Sequence, residues 1–195
     1  MTEINQQALD VIFNDARTHS AWLEKDVPDE LLQKAYDLAK IAPTSANCQP
    51  MRIVFVKSDE AKARLKPHLA EGNVEKTMQA PVCAIIAHDM EFYNELPWLF
   101  PHADAKSWFE GNEEAIKQTA FRNGSLQGAY FILACRAVGL DCGPMSGFNN
   151  DGVDAEFLDG TKWKSNFLIN IGYGDSSKLH PRSPRPDFNK FCKIA

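Results

Sequence analysis

The sequence predicts one domain, residues 1–195, that combines helices with a few short strands. A chain of 195 residues suits a single domain and can bury about 70% of its unfolded surface. Three short apolar runs are typical of buried strands. One candidate helix, Asn112 to Leu140, would be roughly 40 Å long at 1.5 Å per residue, which is enough to cross such a domain.

The helices are predicted from apolar spacing and from residues that begin and end helices. Apolar residues between Ile4 and Phe13 recur at helical spacing, which predicts an amphipathic helix running to about Arg17. A second helix is expected from Pro28 to Ile41, because proline suits the first helical turn and Pro43 closes the segment. The stretch "SDEAKARLKPHL" indicates a short surface helix.

The strands are the apolar runs "RIVFVK" (Arg52–Lys57), "PVCAIIA" (Pro81–Ala87) and "NFLINIGY" (Asn166–Tyr173). The following "GDSSKLHPRSPRPDF" has too many prolines for a regular element and should lie along a surface, its own or a partner's. The segment Glu91–Phe109 concentrates aromatic residues. It is compatible with an aromatic lid, a dimer surface or plain packing beneath a loop.

Composition excludes several classes of function. A formal charge of -5 gives no electrostatic reason to bind nucleic acid. No run approaches the ~18 apolar residues of a membrane span, and the N-terminus does not resemble a signal peptide, so a cytoplasmic location is expected. Five cysteines without a CxxC pair suit a reducing compartment.

Familiar catalytic motifs are missing. Gly172 and Gly174 form a GxG after a strand, but the third glycine of a dinucleotide loop is absent and Pro181 stands where a helix should continue. The five histidines have no ligand-like spacing, so no metal site is predicted. Cys48 could be a thiol nucleophile, although a lone cysteine beside an apolar strand is more often packing.

Five polar segments remain: "DARTHSAW", "APTSANCQP", "GNVEKTM", "CGPMSGF" and "HPRSPR". Each taken alone has a structural explanation as a loop, helix end or solvated tail. Polar loops without an acid, base and nucleophile are typical of an enzyme whose cofactor carries the chemistry.

In this order the five segments resemble the FMN-dependent nitroreductase family over nearly the whole chain. "APTSANCQPMRIVFV" is similar to the family's P-[ST]-[ST]-x-N-x-Q-P-W-x-F signature, with Met51 in place of the usual aromatic residue. Including "WLFPHADAKSWF" and "PRSPRPDF", the pattern most resembles the branch of malonic semialdehyde reductases of pyrimidine utilisation.

The resemblance implies an α+β fold with a central mixed sheet flanked by helices and a long core helix. It implies a homodimer that binds FMN at its interface and exchanges C-terminal arms. It also implies NADH or NADPH as electron donor and a small aldehyde, nitro compound or quinone as acceptor. Hydride would pass to flavin N5 and then to the acceptor in a ping-pong sequence.

The resemblance also implies a set of cofactor-binding residues and leaves the catalytic residues unassigned. The FMN phosphate would be bound by the C-terminal arginines of "PRSPR", whose guanidinium groups suit a dianion. The family's first N-terminal arginine is replaced by Ala16, so neighbouring residues would serve the phosphate by a one-residue shift. The full set is Arg17, Thr18, His19, Pro43, Thr44, Ser45, Asn47, Asn73, Lys76, Pro144, Met145, Ser146, Gly147, Arg182 and Arg185.

The expected reaction is reduction of malonic semialdehyde to 3-hydroxypropionate. Arg122 and Lys106 are the candidate partners for the substrate carboxylate. Three alternatives stay open: a broad nitro, quinone or enoate reductase, a flavin-binding protein without turnover, and a thiol enzyme that uses Cys48. Fold alone does not fix the substrate, and the choice between NADH and NADPH also stays open.

Overall fold

The computed structural model describes residues 2–195 and centres on a four-stranded sheet. The strands are β1 (Met51–Val56), β2 (Val82–Asp89), β3 (Asp141–Met145) and β4 (Trp163–Gly172), in the order β1-β2-β4-β3. All three pairings are antiparallel, so the prediction of a mixed sheet is wrong for this chain. The parallel pairing among the described residues is a single bridge between Thr18 and Cys142.

Eight α-helices accompany the sheet within residues 2–195. They are α1 (Gln6–Leu9), α2 (Asp29–Ala39), α3 (Asp59–Leu65), α4 (Glu71–Gln79), α5 (Leu96–Leu99), α6 (Glu113–Ala137), α7 (Asn150–Phe157) and α8 (Phe188–Phe191). A π-helical turn, Asp10–Asn14, continues α1 and ends before the predicted limit at Arg17. The predicted long helix is confirmed as α6, which has 25 residues and is capped by the Asn112 side chain.

The two faces of the sheet bury different helices, because alternate strand residues point to opposite sides. Ile86 and Ile169 pack with Phe131 of α6, and residues of α2 join the same cluster. Ile85 and Leu168 face the other way, toward residues of α3, α4 and α7. Helix α6 therefore covers one face, and α3, α4 and α7 cover the other.

The segment between β2 and α6 forms a smaller aromatic cluster. Phe92 and Phe109 are buried there in an edge-to-face pair with ring centroids 4.9 Å apart. Cys48 is fully buried in the same cluster, which confirms its interpretation as a packing residue. Trp98 and Trp108 remain 69% and 54% exposed, so only part of the segment packs beneath a loop.

The C-terminal segment after β4 is mostly irregular, as its prolines predict. Residues 181–195 are exposed throughout, and they include the large apolar side chains Phe188, Phe191 and Ile194. Among residues 2–195 no helix is both long enough and apolar enough to cross a membrane.

Candidate functional site

A basic cleft lies where the N-terminal and C-terminal segments meet. Its cavity has a volume of about 470 Å³ and includes no aspartate or glutamate in its lining. Six basic side chains line it: Arg17, Arg136, Lys178, His180, Arg182 and Arg185. Within residues 2–195 none of the six has a carboxylate within 4 Å. The five arginine and lysine side chains of this set are suited to binding a phosphate-sized anion.

Arginines of the cleft hold its two walls together. Arg182 donates from Nη2 to the carbonyl oxygens of Asn14 and Ala16 at 2.6 and 3.1 Å. Arg17, in the N-terminal segment, donates to the carbonyl oxygen of His180 in the C-terminal segment. Because these contacts use only one guanidinium nitrogen of each arginine, further N–H groups remain for an anion.

The N-terminal segment leads from this cleft to the edge of the sheet. Thr18 bridges to Cys142 of β3, and the backbone N–H of His19 donates to the Cys142 carbonyl at 3.1 Å. Further along, Trp22 Nε1 donates to the carbonyl of Lys76 on α4 at 2.9 Å. The cleft, β3 and α4 therefore form neighbouring parts of one surface.

His19, a predicted phosphate contact, is not among the residues that line the cleft. Its side chain is only 6% exposed and lies with Nε2 3.5 Å from a carboxylate oxygen of Asp141. A Cβ atom on Gly174 would come within 2.0 Å of the His19 ring. Gly174 therefore serves the packing of His19, which explains the GxG sequence without a dinucleotide loop.

Asn73 and the loop after β3 form the second part of the site. Asn73 Nδ2 donates to the Gly147 carbonyl at 2.7 Å, and the backbone N–H of Ala70 donates to the same oxygen at 3.0 Å. Pro144 and Ser146 are exposed beside them, and Met145 is half-buried. Lys76, on the same helix as Asn73, is half-buried without an ion-pair partner among the described residues. Lys76, Asn73 and the polar backbone of this loop thus lie near the edge strand β3.

The loop before β1, Pro43–Pro50, is the third part, and its backbone is strained. Ala46, Asn47 and Gln49 have φ angles of 49°, 49° and 41°, in the left-handed region that L residues seldom adopt. Strain of this kind costs on the order of 1–3 kcal/mol per residue and persists where surrounding bonds enforce it.

Two buried amides of α6 hold this loop. Asn123 Oδ1 accepts from the Ser45 backbone N–H at 2.9 Å, and Gln127 Oε1 accepts from the Met51 N–H at 2.9 Å. Within the loop, Thr44 Oγ1 accepts from the Gln49 N–H at 3.2 Å. The exposed Ser45 hydroxyl makes no hydrogen bond within residues 2–195 and so remains available to a ligand.

Among residues 2–195, hydrogen bonds connect the cleft segment to β3 and α4 but do not connect the loop Pro43–Pro50 to either. The cleft, β3 and α4 are continuous. The loop Pro43–Pro50 is bonded to α6 at Asn123 and Gln127, whereas Arg136 lines the cleft nine residues after Gln127 on the same helix, about 14 Å further along. One chain therefore carries two separate groups of predicted site residues.

Several participants were not among the predicted site residues. Arg136 lines the cleft from the last turn of α6, and its buried Nε has no hydrogen-bond partner in the part of the chain that the structure describes. Lys178 also lines the cleft. Asn123 and Gln127 were hidden among the polar positions of a long helix. In the sequence, only the replacement of the family's first N-terminal arginine by Ala16 indicated that another cation would be needed to bind the phosphate.

Cys48 lacks the properties of a nucleophile. Burial raises the pKa of its thiol to about 11, so the thiolate is scarce near neutral pH. Its surroundings are Phe92, Leu96 and other apolar side chains rather than a base.

The fold and the site define a class: an α+β protein with a small antiparallel sheet, a long central helix and a basic cleft that continues onto a polar strand edge. The chain belongs to the nitroreductase family, which it matches over residues 15–173.

Known proteins agree with this assignment. A candidate NADH dehydrogenase/NAD(P)H nitroreductase from Burkholderia lata is 61% identical over 194 residues, which cover 100% of both chains. The structure of a candidate nitroreductase from Bacillus subtilis has a TM-score of 0.86 at 22% identity, over 98% of this chain and 100% of that one. A candidate nitroreductase from Exiguobacterium sibiricum, solved in complex with FMN, has a TM-score of 0.85 at 20% identity over 100% of both chains.

Proposed function

We propose that this protein is an FMN-dependent NAD(P)H oxidoreductase that works as a homodimer. The observation that carries the proposal is the basic cleft, which has five arginine or lysine side chains and a histidine, no acidic side chain, and a continuous path to Asn73 and Gly147. FMN has the matching chemistry, since its phosphate is a dianion and its ring is flat and polar at one edge. Two comparisons support the proposal: the name of the Burkholderia relative includes NAD(P)H, and the Exiguobacterium structure contains FMN.

The chain's own residues have separate tasks in this proposal. Arg17, Arg182 and Arg185 bind the phosphate, with Thr18 beside them. Asn73 and Lys76 meet the polar edge of the ring, where a cation stabilises negative charge. When bound, FMN supplies hydride transfer between NAD(P)H and an acceptor.

The separation of the two groups of predicted site residues supports the homodimer. In the proposed dimer, the loop bonded to α6 reaches a cofactor seated on the partner's α4 and β3 through Pro43, Thr44, Ser45 and Asn47. Helix α6 also exposes Phe121, Leu126 and Tyr130 at 54%, 47% and 42%, and burial of these side chains favours association. We further propose that the exposed C-terminal arm lies on the partner subunit.

The acceptor we propose is malonic semialdehyde, which is supported by the resemblance of "WLFPHADAKSWF" and "PRSPRPDF" to that branch. Its carboxylate needs a cation. Arg122 is exposed on α6 without an ion-pair partner in the described chain, whereas Lys106 lies 3.6 Å from Glu110. Arg122 is therefore the better candidate.

A second candidate is a broad nitro, quinone or enoate reductase, which the nitroreductase in the Burkholderia relative's name favours. Steady-state rates with malonic semialdehyde, nitroaromatics and quinones distinguish the two. A clear preference for malonic semialdehyde supports the first, and a preference for nitroaromatics contradicts it.

A flavin-binding protein without turnover would keep bound FMN oxidised under excess NAD(P)H without oxygen. The single domain over residues 1–195 and the cytoplasmic location stay predictions.

A further inference from the structure

A chain of three side-chain amides runs from α6 through the strained loop to the aromatic segment. Gln127 Oε1 accepts from the Met51 N–H at 2.9 Å, and Gln127 Nε2 donates to Gln49 Oε1 at 2.5 Å. Gln49 Nε2 donates to Asn47 Oδ1 at 2.8 Å, and Asn47 Nδ2 donates to the Leu99 carbonyl at 2.8 Å. Four hydrogen bonds thus connect two backbone groups that are 48 residues apart in sequence.

The two ends of this chain fix the direction of every amide within it. The Met51 N–H can only donate, so the oxygen of Gln127 must face it and the nitrogen must face Gln49. The Leu99 carbonyl can only accept, so the nitrogen of Asn47 must face it. Flipping any one amide would place two oxygens or two N–H groups against each other.

Gln127 is the buried anchor of the chain. It is 3% exposed, whereas Asn47 at the other end is exposed on the loop. Gln127 also bonds the residue that starts β1, so its position is set by both α6 and the sheet. Asn47 and Gln49 both have positive φ, so their conformations need such external bonds to persist.

We propose that Gln127 is a positioning residue for the cofactor. Through Gln49 it fixes which side of the Asn47 amide presents N–H and which presents oxygen, and it ties the loop to the aromatic segment at Leu99. This inference rests on the proposed function, in which the loop meets FMN on the partner subunit. One N–H and one lone pair of Asn47 remain for that contact.

The most direct test is Gln127→Glu, which keeps size. Once ionised, its carboxylate still accepts from the Met51 N–H but cannot donate to Gln49, so FMN affinity is measured from about pH 6 to 9. Gln49 must then turn its nitrogen toward the new carboxylate, and the reversal places Asn47 Oδ1 against the Leu99 carbonyl. We expect FMN affinity to fall at least tenfold and the Asn47 side-chain amide resonances to shift, although Gln127 does not touch Asn47.

Two other variants keep the test decisive. Gln49→Glu breaks the chain one bond further along, at Asn47, and leaves the bond between Gln127 and Met51 intact. It should lower FMN affinity to a similar extent. This variant replaces Gln127→Glu if Gln127→Glu fails to fold. Gln118→Glu, at an exposed position of the same helix, makes the same chemical change outside the chain and should alter neither FMN affinity nor the Asn47 resonances.

The measurements are FMN dissociation constants from fluorescence titration and ¹⁵N spectra of the side-chain amides, on the full-length protein. If both chain variants bind FMN as tightly as the unmodified protein, the positioning role is wrong. If the unmodified protein itself fails to bind FMN, the proposed function fails first, and the positioning role fails with it.

Discussion

Asn73 and Gly147 are joined by a 2.7 Å hydrogen bond from Nδ2 to the carbonyl oxygen, which fastens α4 to the loop after β3. The same closeness requires a glycine, since a Cβ atom at position 147 would lie 2.6 Å from Asn73 Nδ2. Two segments that the family resemblance assigns to the flavin ring are thereby in direct contact.

Gly147→Ala should weaken FMN binding about tenfold or more, because the added methyl group displaces the Asn73 amide and the loop that would lie beside the ring. Gly72→Ala is the matched control. Its Cβ would meet nothing within 4 Å, and in a helix the change should stabilise the fold by roughly 0.5–1 kcal/mol. FMN titration and thermal unfolding of both variants check this, and equal FMN affinities would contradict it.

Arg182→Ala should lower FMN affinity by about 10- to 100-fold, which corresponds to losing one charge-assisted hydrogen bond of ~1.5–3 kcal/mol. Part of the loss comes from freeing the carbonyls of Asn14 and Ala16. Riboflavin lacks the phosphate, so its titration separates the loss of a phosphate contact from the loss of the bonds to Asn14 and Ala16. The affinity for riboflavin should change much less than the affinity for FMN.

The control for this change is Arg64→Ala. Arg64 pairs with Glu156 on the surface, and exposed ion pairs contribute little. A similar loss of FMN in Arg64→Ala and Arg182→Ala would show that the cleft has no special role.

Cys48→Ser should retain NAD(P)H-dependent reduction of FMN, because burial raises the pKa of the Cys48 thiol to about 11 and leaves it protonated at pH 7. Iodoacetamide at that pH should spare the buried Cys48 in the native protein and modify it after unfolding. Mass spectrometry of the alkylated peptides is the readout. Loss of all turnover in a folded Cys48→Ser variant would revive the thiol enzyme.

The homodimer predicts a particle of about 44 kDa, twice the 21.8 kDa of one chain. Phe121→Glu should place a charge on the exposed apolar face of α6, weaken association and reduce FMN binding in parallel. Sedimentation at several concentrations, with and without FMN, measures both. A monomer that binds FMN fully would show that one chain holds the cofactor alone.

The sequence predicts most of the regular elements, because β1, β2, β4 and α6 each carry a clear apolar pattern. It misses β3, since Gly143 and Pro144 are poor strand residues. At the edge of a sheet a proline is tolerated, because its missing N–H need not serve a second neighbour. The mixed sheet came from the resemblance rather than from any pattern in the residues.

The candidate site was likewise predicted only in part from the sequence. Loops such as Thr44–Asn47 stand out because polar groups adjoin an apolar strand. Gln127 and Arg136 do not stand out, since any long helix contains polar positions. Only tertiary packing shows that Gln127 holds a strained loop and that Arg136 lines a cleft. The burial of His19 likewise depends on Asp141 and Gly174, which are distant in sequence.

The central claim is that this chain binds FMN and passes electrons through it. The measurement is the visible spectrum of the purified protein under anaerobic conditions, before and after excess NADH or NADPH. We predict a yellow protein with about one FMN per chain whose flavin bands disappear on addition of reductant and return with an acceptor. A colourless protein that takes up no added FMN would contradict the claim.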